Sequence, residues 1–352
     1  MDTTLSRNFG SDNVTPVCAP VMAAINAANT GLLPSYGADE FTERLQRAMS
    51  TLFEREVAAY PVATGTAANA LALAQLAPPF GGIYCHEGAH IVTDECGAPE
   101  LFTGGAKLLG LPSPNGKIGP EAIDAAVALA TDMGVHHVKP SAISVTQATE
   151  LGTVYGLEEL KALTAAGKRH GLAVHMDGAR FANALVHLGC SPAEATWKAG
   201  IDVLSFGATK NGALAAEAVV FFDPRRAQDF ERRRKRAGHL WSKLRYLSCQ
   251  LLVYLQDDLW LHNARQANAM AARLAHGIKG VAGANLLQPV EANELFVAVP
   301  ERLIAALESE GFHFYRWPWL KPSGGAAIRL VTSYATTAAD VDDFLQSAVH
   351  VS

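Results

Sequence analysis

With 352 residues, 49% of them hydrophobic and 18% charged, the chain is sized for one large and one smaller domain around ordinary cores. Its formal charge of -5 argues against a nucleic-acid binder, which is basic overall. Five scattered cysteines, odd in number and without a CxxC pair, read as free thiols in a reducing compartment, so the expected location is cytoplasmic.

The opening MDTTLSRNFGSDN has no apolar run of signal-peptide length. Residues 1–38 are expected to pack back on a small C-terminal domain, leaving 39–255 as the large domain and 256–352 as the small one. Strands are predicted at 57–65, 81–87, 106–112, 140–147, 171–177, 201–208 and 217–223. Helix-like runs such as AANALALAQLA, PEAIDAAVALATDMG and LEELKALTAAGKRHG separate them. This alternation predicts an α/β fold with a mostly parallel seven-stranded sheet flanked by helices. The pair 201–208 and 217–223 is the exception, because its connection is too short for a helical crossover and predicts an antiparallel step. The uncharged stretch 62–85 has membrane-spanning length, but Gly65, Thr66, Asn69, Gln75 and Pro78-Pro79 divide it into strand end, helix and turn. No membrane contact is expected. Beyond residue 255 strands and helices with short connections predict a small α+β domain on an antiparallel sheet.

Ligands of open parallel sheets bind beyond the carboxyl ends of the strands, so polar residues there are read together. ATGTAAN (63–69) leads through Gly65 and Thr66 into a helix, which suits a phosphate seat, although taken alone it reads first as an ordinary turn and N-cap. HMDGAR (175–180) carries Asp177 to the same edge, with Arg180 three residues on; a cap plus a surface arginine reads the same way. SFGATKNG (205–212) brings Lys210. An amine for an aldehyde, a carboxylate for a pyridine nitrogen and backbone donors for a phosphate together suggest pyridoxal 5'-phosphate. CHEGAHIVTDE (85–95) also reads as a zinc cluster, but Gly88 interrupts the helix that would align His86 with His90, and no metal is expected. His175, on an apolar strand, is read as a satisfied interior histidine.

The ordered set FGSDNVT, YGADEFT, ATGTAAN, CHEGAHIVTDECGAPE, HMDGARFANA, SFGATKNG and AIRLVTSYATT resembles the low-specificity L-threonine aldolases, within the fold-type-I pyridoxal phosphate enzymes. The resemblance implies that Lys210 forms the Schiff base, Asp177 meets the ring nitrogen, His90 stacks on the ring, and Gly65 and Thr66 hold the phosphate. It also implies that Ser11, Arg180 and Arg329 receive a substrate carboxylate, Arg180 facing the cofactor as well. Tyr36 and Lys235 would reach a neighbouring subunit's site in a homodimer or homotetramer; the RRRKR run around Lys235 reads alternatively as a solvated helix face. The implied activity is cleavage of L-threonine, L-allo-threonine or phenylserine to glycine and an aldehyde. Alternatives are a β-eliminating lyase, a serine-hydroxymethyltransferase-like enzyme, or a non-catalytic binding protein on the same fold. One departure stands out: where many members carry a histidine after the fourth strand, this chain reads TQATELG (146–152). The proton on the substrate's β-hydroxyl is left to His136, Glu95, His90 or water.

Overall fold

The computed structural model describes residues 7–323 and 325–352. The large sheet comprises β1 (Ala58–Val62), β2 (Gly81–His86), β3 (Lys107–Leu111), β4 (Lys139–Thr146), β5 (Ala173–Gly178), β6 (Val203–Gly207) and β7 (Glu217–Phe221). Their order is β1-β7-β6-β5-β4-β2-β3. Only β7 opposes its neighbours, pairing antiparallel with β1 and β6, while the pairs from β6 through β3 are parallel. The cause is the short β6–β7 connection, which holds a 3-10 turn at Thr209–Asn211 and no crossover helix.

Both faces of this sheet are covered, and the alternation of side chains assigns each residue to one cover. Val203, Val219 and Phe221 pack with Ala68 and Leu71 of the helix Gly65–Leu76. Leu204, Phe206, Ala218 and Val220 point the other way, into a core shared with Leu45, Leu160 and Trp260. The helix Gly65–Leu76 is buried from Ala67 through Ala74, and its alanines let it lie close against the strands.

A second sheet, ordered β10-β11-β9-β8, is antiparallel and consists of β8 (Asn285–Leu286), β9 (Glu294–Val299), β10 (Tyr315–Arg316) and β11 (Ala326–Val331). The start of the described chain joins it: Phe9 N–H donates to His313 O at 2.7 Å, and Val331 N–H donates to Phe9 O at 2.8 Å. The following helix, Ala19–Ala28, instead packs on Arg245–Leu255 of the large domain. The helix Leu259–Ile278 belongs to both units. Its Trp260 and Ala264 sit in the large core, and its Leu274 and Ile278 in the small one. The division drawn at 255/256 therefore cuts ahead of a helix that both domains use.

Candidate active site

β5 and β6 run side by side and end together, with Asp177 opposite Ser205 in register. Glycine permits that closeness: a Cβ on Gly207 would stand 2.6 Å from Ala179 O, and one on Gly178 would stand 2.7 Å from Ser205 O. The turn carrying Asp177 and the strand leading to Lys210 are thereby held together at the carboxyl edge. The lysine's turn is clamped from outside. Asn211 Nδ2 donates to Tyr254 Oη at 2.7 Å and to Trp260 O at 2.8 Å, and Cys18 N–H donates to Gly212 O at 2.9 Å.

A cavity of about 410 Å³ opens at this edge, and Gly65, Thr66, His90, Asp177, Arg180 and Lys210 all line it. Thr64 caps the helix Gly65–Leu76, its Oγ1 accepting from Ala67 N–H at 3.1 Å. A Cβ added to Gly65 would meet no atom within 4 Å, so the helix start faces open space. Asp177 is buried with both oxygens held: Oδ1 accepts from Ala179 N–H at 2.9 Å and Oδ2 from Asn69 Nδ2 at 2.8 Å. The same Asn69 amide donates to Glu95 Oε1 at 2.8 Å, bridging two carboxylates through a neutral group. Glu95 Oε1 also accepts from His90 Nδ1 at 2.9 Å. That bond raises the His90 pKa above its ordinary value; burial opposes it, Asp177 adds to it, and Lys210 works against it. Burial raises Glu95 as well. Glu217, on β7 beside the lysine turn, is pushed up to about 7 by burial, against the donors of Thr209 and Ala208 and the charge of Lys210.

The β-eliminating lyase family model matches residues 8–302. The chain is 44% identical over 336 residues to the low specificity L-threonine aldolase of a Pseudomonas species, covering 96% of this chain and 95% of that one. The chain is a β-eliminating lyase family member of the threonine aldolase kind. The corresponding protein of Pseudomonas aeruginosa is 46% identical over 310 residues, covering 88% and 89% of the two chains. A solved threonine aldolase structure from Leishmania major superposes with a TM-score of 0.91 at 28% identity, covering 97% of this chain and 98% of that one. The arrangement of a mostly parallel sheet with a small antiparallel companion is the fold-type-I arrangement of that family.

Other residues singled out from the threonine aldolase resemblance fall in different places. Arg180 lines the cavity, but its guanidinium is engaged: Nε donates to Asp12 Oδ2 at 2.8 Å, Nη2 to Asp12 Oδ1 at 3.0 Å, and Nη1 lies 3.0 Å from Glu294. In this structure the guanidinium expected to receive a substrate carboxylate is paired with two of the chain's own. Burial works against its charge, but Asp12 and Glu294 outweigh burial and raise its pKa. Arg329 stands behind this cluster, outside the cavity wall, with Nη2 donating to Gly10 O at 3.1 Å and Glu294 3.7 Å away. Its guanidinium lies over Tyr315 and Trp317, and its buried Nε has no partner. Ser11 is also outside the wall, its Oγ accepting from Asn13 N–H at 3.1 Å to cap the turn Asp12–Val14.

Tyr36 and Lys235 lie in a separate concavity of about 580 Å³, the Lys235 Nζ standing 4.5 Å from the Tyr36 ring centroid. His136 is exposed in a turn just before β4, at the amino edge of a strand whose carboxyl end borders the cavity, and does not line the cavity within this chain. His86 has both ring nitrogens engaged, with Ser113 O at 2.9 Å and Gly88 N–H at 3.0 Å. His175 is buried between Ser144 and Ser205, each hydroxyl 2.9 Å from a ring nitrogen, and burial lowers its pKa to about 4. Sequence reasoning missed Asp12, Glu294, Glu217 and Glu150. For Glu150 a signal existed: it lies in the segment where a histidine was sought.

Proposed function

We propose that the chain is a pyridoxal 5'-phosphate-dependent aldolase that cleaves L-3-hydroxy-α-amino acids, with L-threonine, L-allo-threonine and phenylserine as substrates. The observation that carries this reading is the gathering of Lys210, Asp177, His90 and the start of the helix Gly65–Leu76 around one cavity. The donor set fits the cofactor. Backbone N–H groups at Gly65 and Thr66, with the Thr66 hydroxyl, suit a phosphate. Asp177, fixed by Asn69 and Ala179, suits a protonated ring nitrogen. Lys210 suits the aldehyde, and among the described residues its ammonium forms no ion pair. When bound, the cofactor supplies the electron sink for the pair left on the α-carbon as the Cα–Cβ bond breaks.

The chain's own residues orient and protect that chemistry. His90, steered by Glu95, forms one wall, where its ring would face the cofactor. The family resemblance gives the substrate carboxylate to Arg329 and Ser11, which stand behind the wall that Arg180 shapes through Asp12 and Glu294. Arginine suits the task because its fork binds a carboxylate through two hydrogen bonds. Tyr36 and Lys235 complete the site of a second subunit in a homodimer or homotetramer, since within one chain they lie in a different concavity from Lys210. No described helix is long and apolar enough to cross a membrane, and all five cysteines are unpaired, which supports a cytoplasmic enzyme.

The test is a visible spectrum of the purified protein followed by product analysis with L-threonine and L-allo-threonine. Glycine and acetaldehyde are expected; pyruvate and ammonia would make the protein a β-eliminating enzyme instead. Arg329→Ala is expected to raise KM for L-threonine by about tenfold or more, the worth of one charged hydrogen bond. An unchanged KM removes Arg329 from carboxylate binding.

A further inference from the structure

The aldolase reading leaves one task without an owner: something must take the proton from the substrate's β-hydroxyl. Of the residues weighed for it from sequence, His90 has its Nδ1 tied to Glu95 and is assigned to the cofactor face, and the other two are poorly placed. His136 lies at the wrong edge of the sheet. Glu95 shares with Glu150 a twice-bonded Oε1 and a buried Oε2 without a partner, but its side chain has 0% exposure whereas Glu150 is only half-buried. Two further acids in the wall are committed elsewhere. Asp177 has both oxygens bonded, and Glu217 accepts from Ala208 N–H at 3.0 Å beside the lysine turn.

Glu150 is different. It lines the same cavity from the loop after β4, next to Thr146 and Ala148. Its Oε1 accepts two hydrogen bonds, from His90 N–H at 2.7 Å and from Thr146 Oγ1 at 2.8 Å. Its Oε2 is buried and has no partner. One oxygen is thus anchored in the wall behind His90, and the other is left to hold a proton or meet a hydroxyl. A buried acceptor without a donor is costly unless it does one or the other.

We infer that Glu150 is the catalytic base for the β-hydroxyl, taking over in this chain the task of the missing histidine. The assignment rests on the aldolase reading. In the cleavage direction the hydroxyl O–H bond breaks and its proton passes to Glu150 Oε2. The O–H electron pair becomes the second C–O bond of the aldehyde, and the Cα–Cβ pair stays on Cα. A proton returned to Cα gives glycine, so the sum over the turnover is zero. In the synthetic direction the protonated carboxyl donates to the aldehyde oxygen. A group that must work both ways is best poised near neutrality. Burial pushes Glu150 up to about 7, with the hydrogen bonds from His90 N–H and Thr146 opposing and Asp177 adding to the rise. The titratable groups facing it are His90, Asp177 on β5, Cys85 on β2 and Tyr155.

The experiment compares wild-type holoenzyme with Glu150→Gln, which keeps the shape and an anchoring oxygen. Three readouts are taken: cofactor absorbance and its shift on titration with glycine, deuterium exchange at the glycine α-carbon, and cleavage of L-threonine across pH. Glycine has no β-hydroxyl, so its binding and exchange do not need the base. The expected result is cofactor loading and glycine affinity within about twofold of wild type, exchange retained, and cleavage kcat lower by about 100-fold or more. Wild-type kcat/KM should rise with pH through an ionisation near about 7, and that limb should vanish from the residual activity of the variant. Cleavage within about threefold of wild type, or an unmoved pH limb, overturns the assignment. Equal loss of exchange and cleavage also overturns it, by showing a structural role. Failure of the underlying reading looks different: wild-type protein that neither loads the cofactor nor exchanges glycine, which ends the assignment with it.

Discussion

The two concavities of this chain hold their charges in opposite ways. The cavity at the sheet's carboxyl edge draws its wall from segments spread between Asn13 and Glu217, and its acids are bound by an amide side chain, backbone N–H groups and His90. The concavity around Tyr36 and Lys235 draws nearly all of its wall from residues 235–246, carries Lys235 and Lys243, and has no carboxylate in its lining. The first is a preorganised set of groups that can act on a ligand within one chain. The second is a cationic, aromatic surface in which Lys235 meets the Tyr36 ring and no carboxylate among the described residues. The difference teaches that a buried constellation must balance its charges within the fold, whereas surface cations are left to solvent or to whatever binds there.

The sharpest test of the contrast is Lys210→Ala, expected to reduce cleavage to background and to erase the visible absorbance of the bound cofactor; surviving absorbance would detach the lysine from the cofactor. Next, Asp177→Asn removes a charge while keeping the hydrogen-bonding shape, and turnover should fall about 100- to 1000-fold with far smaller loss of cofactor content. Near-normal turnover would dissolve the distinction between a chemical cavity and a passive one. On the other concavity, Lys235→Ala should weaken cofactor affinity by about tenfold, as loss of one charged contact does, with cleavage recovering at saturating cofactor. No change in affinity would leave that surface without a role at the site.

The smallest expected effect concerns His175, which lies inside the sheet beneath the first cavity. Its folded pKa is depressed to about 4 from the ordinary 6.5, so the unfolded chain binds the proton more readily. Folding stability should therefore decline as pH falls from about 6.5 towards 4, by something on the order of 1–3 kcal/mol. Urea unfolding midpoints at pH 7 and pH 5 measure the slope, and His175→Gln should flatten it.

Much of the fold was legible because it follows from local rules. Apolar runs separated by amphipathic ones dictate strands and covers, and the short β6–β7 link dictates the reversed strand. The presence of Asp177 and Lys210 at one edge follows from strand direction. What stayed hidden depends on contacts between distant segments. Arg180 reads as a free fork until Asp12, 168 positions away, folds onto it. His136 and Glu150 flank the same strand, and only strand direction together with the fold-back of the following loop tells which one faces the cavity. The boundary at 255/256 failed to register that one helix serves two cores, because an apolar stripe does not say which neighbour it will meet.

That shared helix has a mechanical consequence. Leu259–Ile278 is a rod of 20 residues, about 30 Å long. Near its first turn Asn263 Nδ2 grips Asn211 O at 2.8 Å while Trp260 O holds the Asn211 amide, one residue from Lys210. Its other end is embedded among the side chains under the small sheet. Any tilt of the small unit therefore acts as a lever whose short arm ends beside Lys210, so the lysine turn and the posture of the two halves share a single fulcrum.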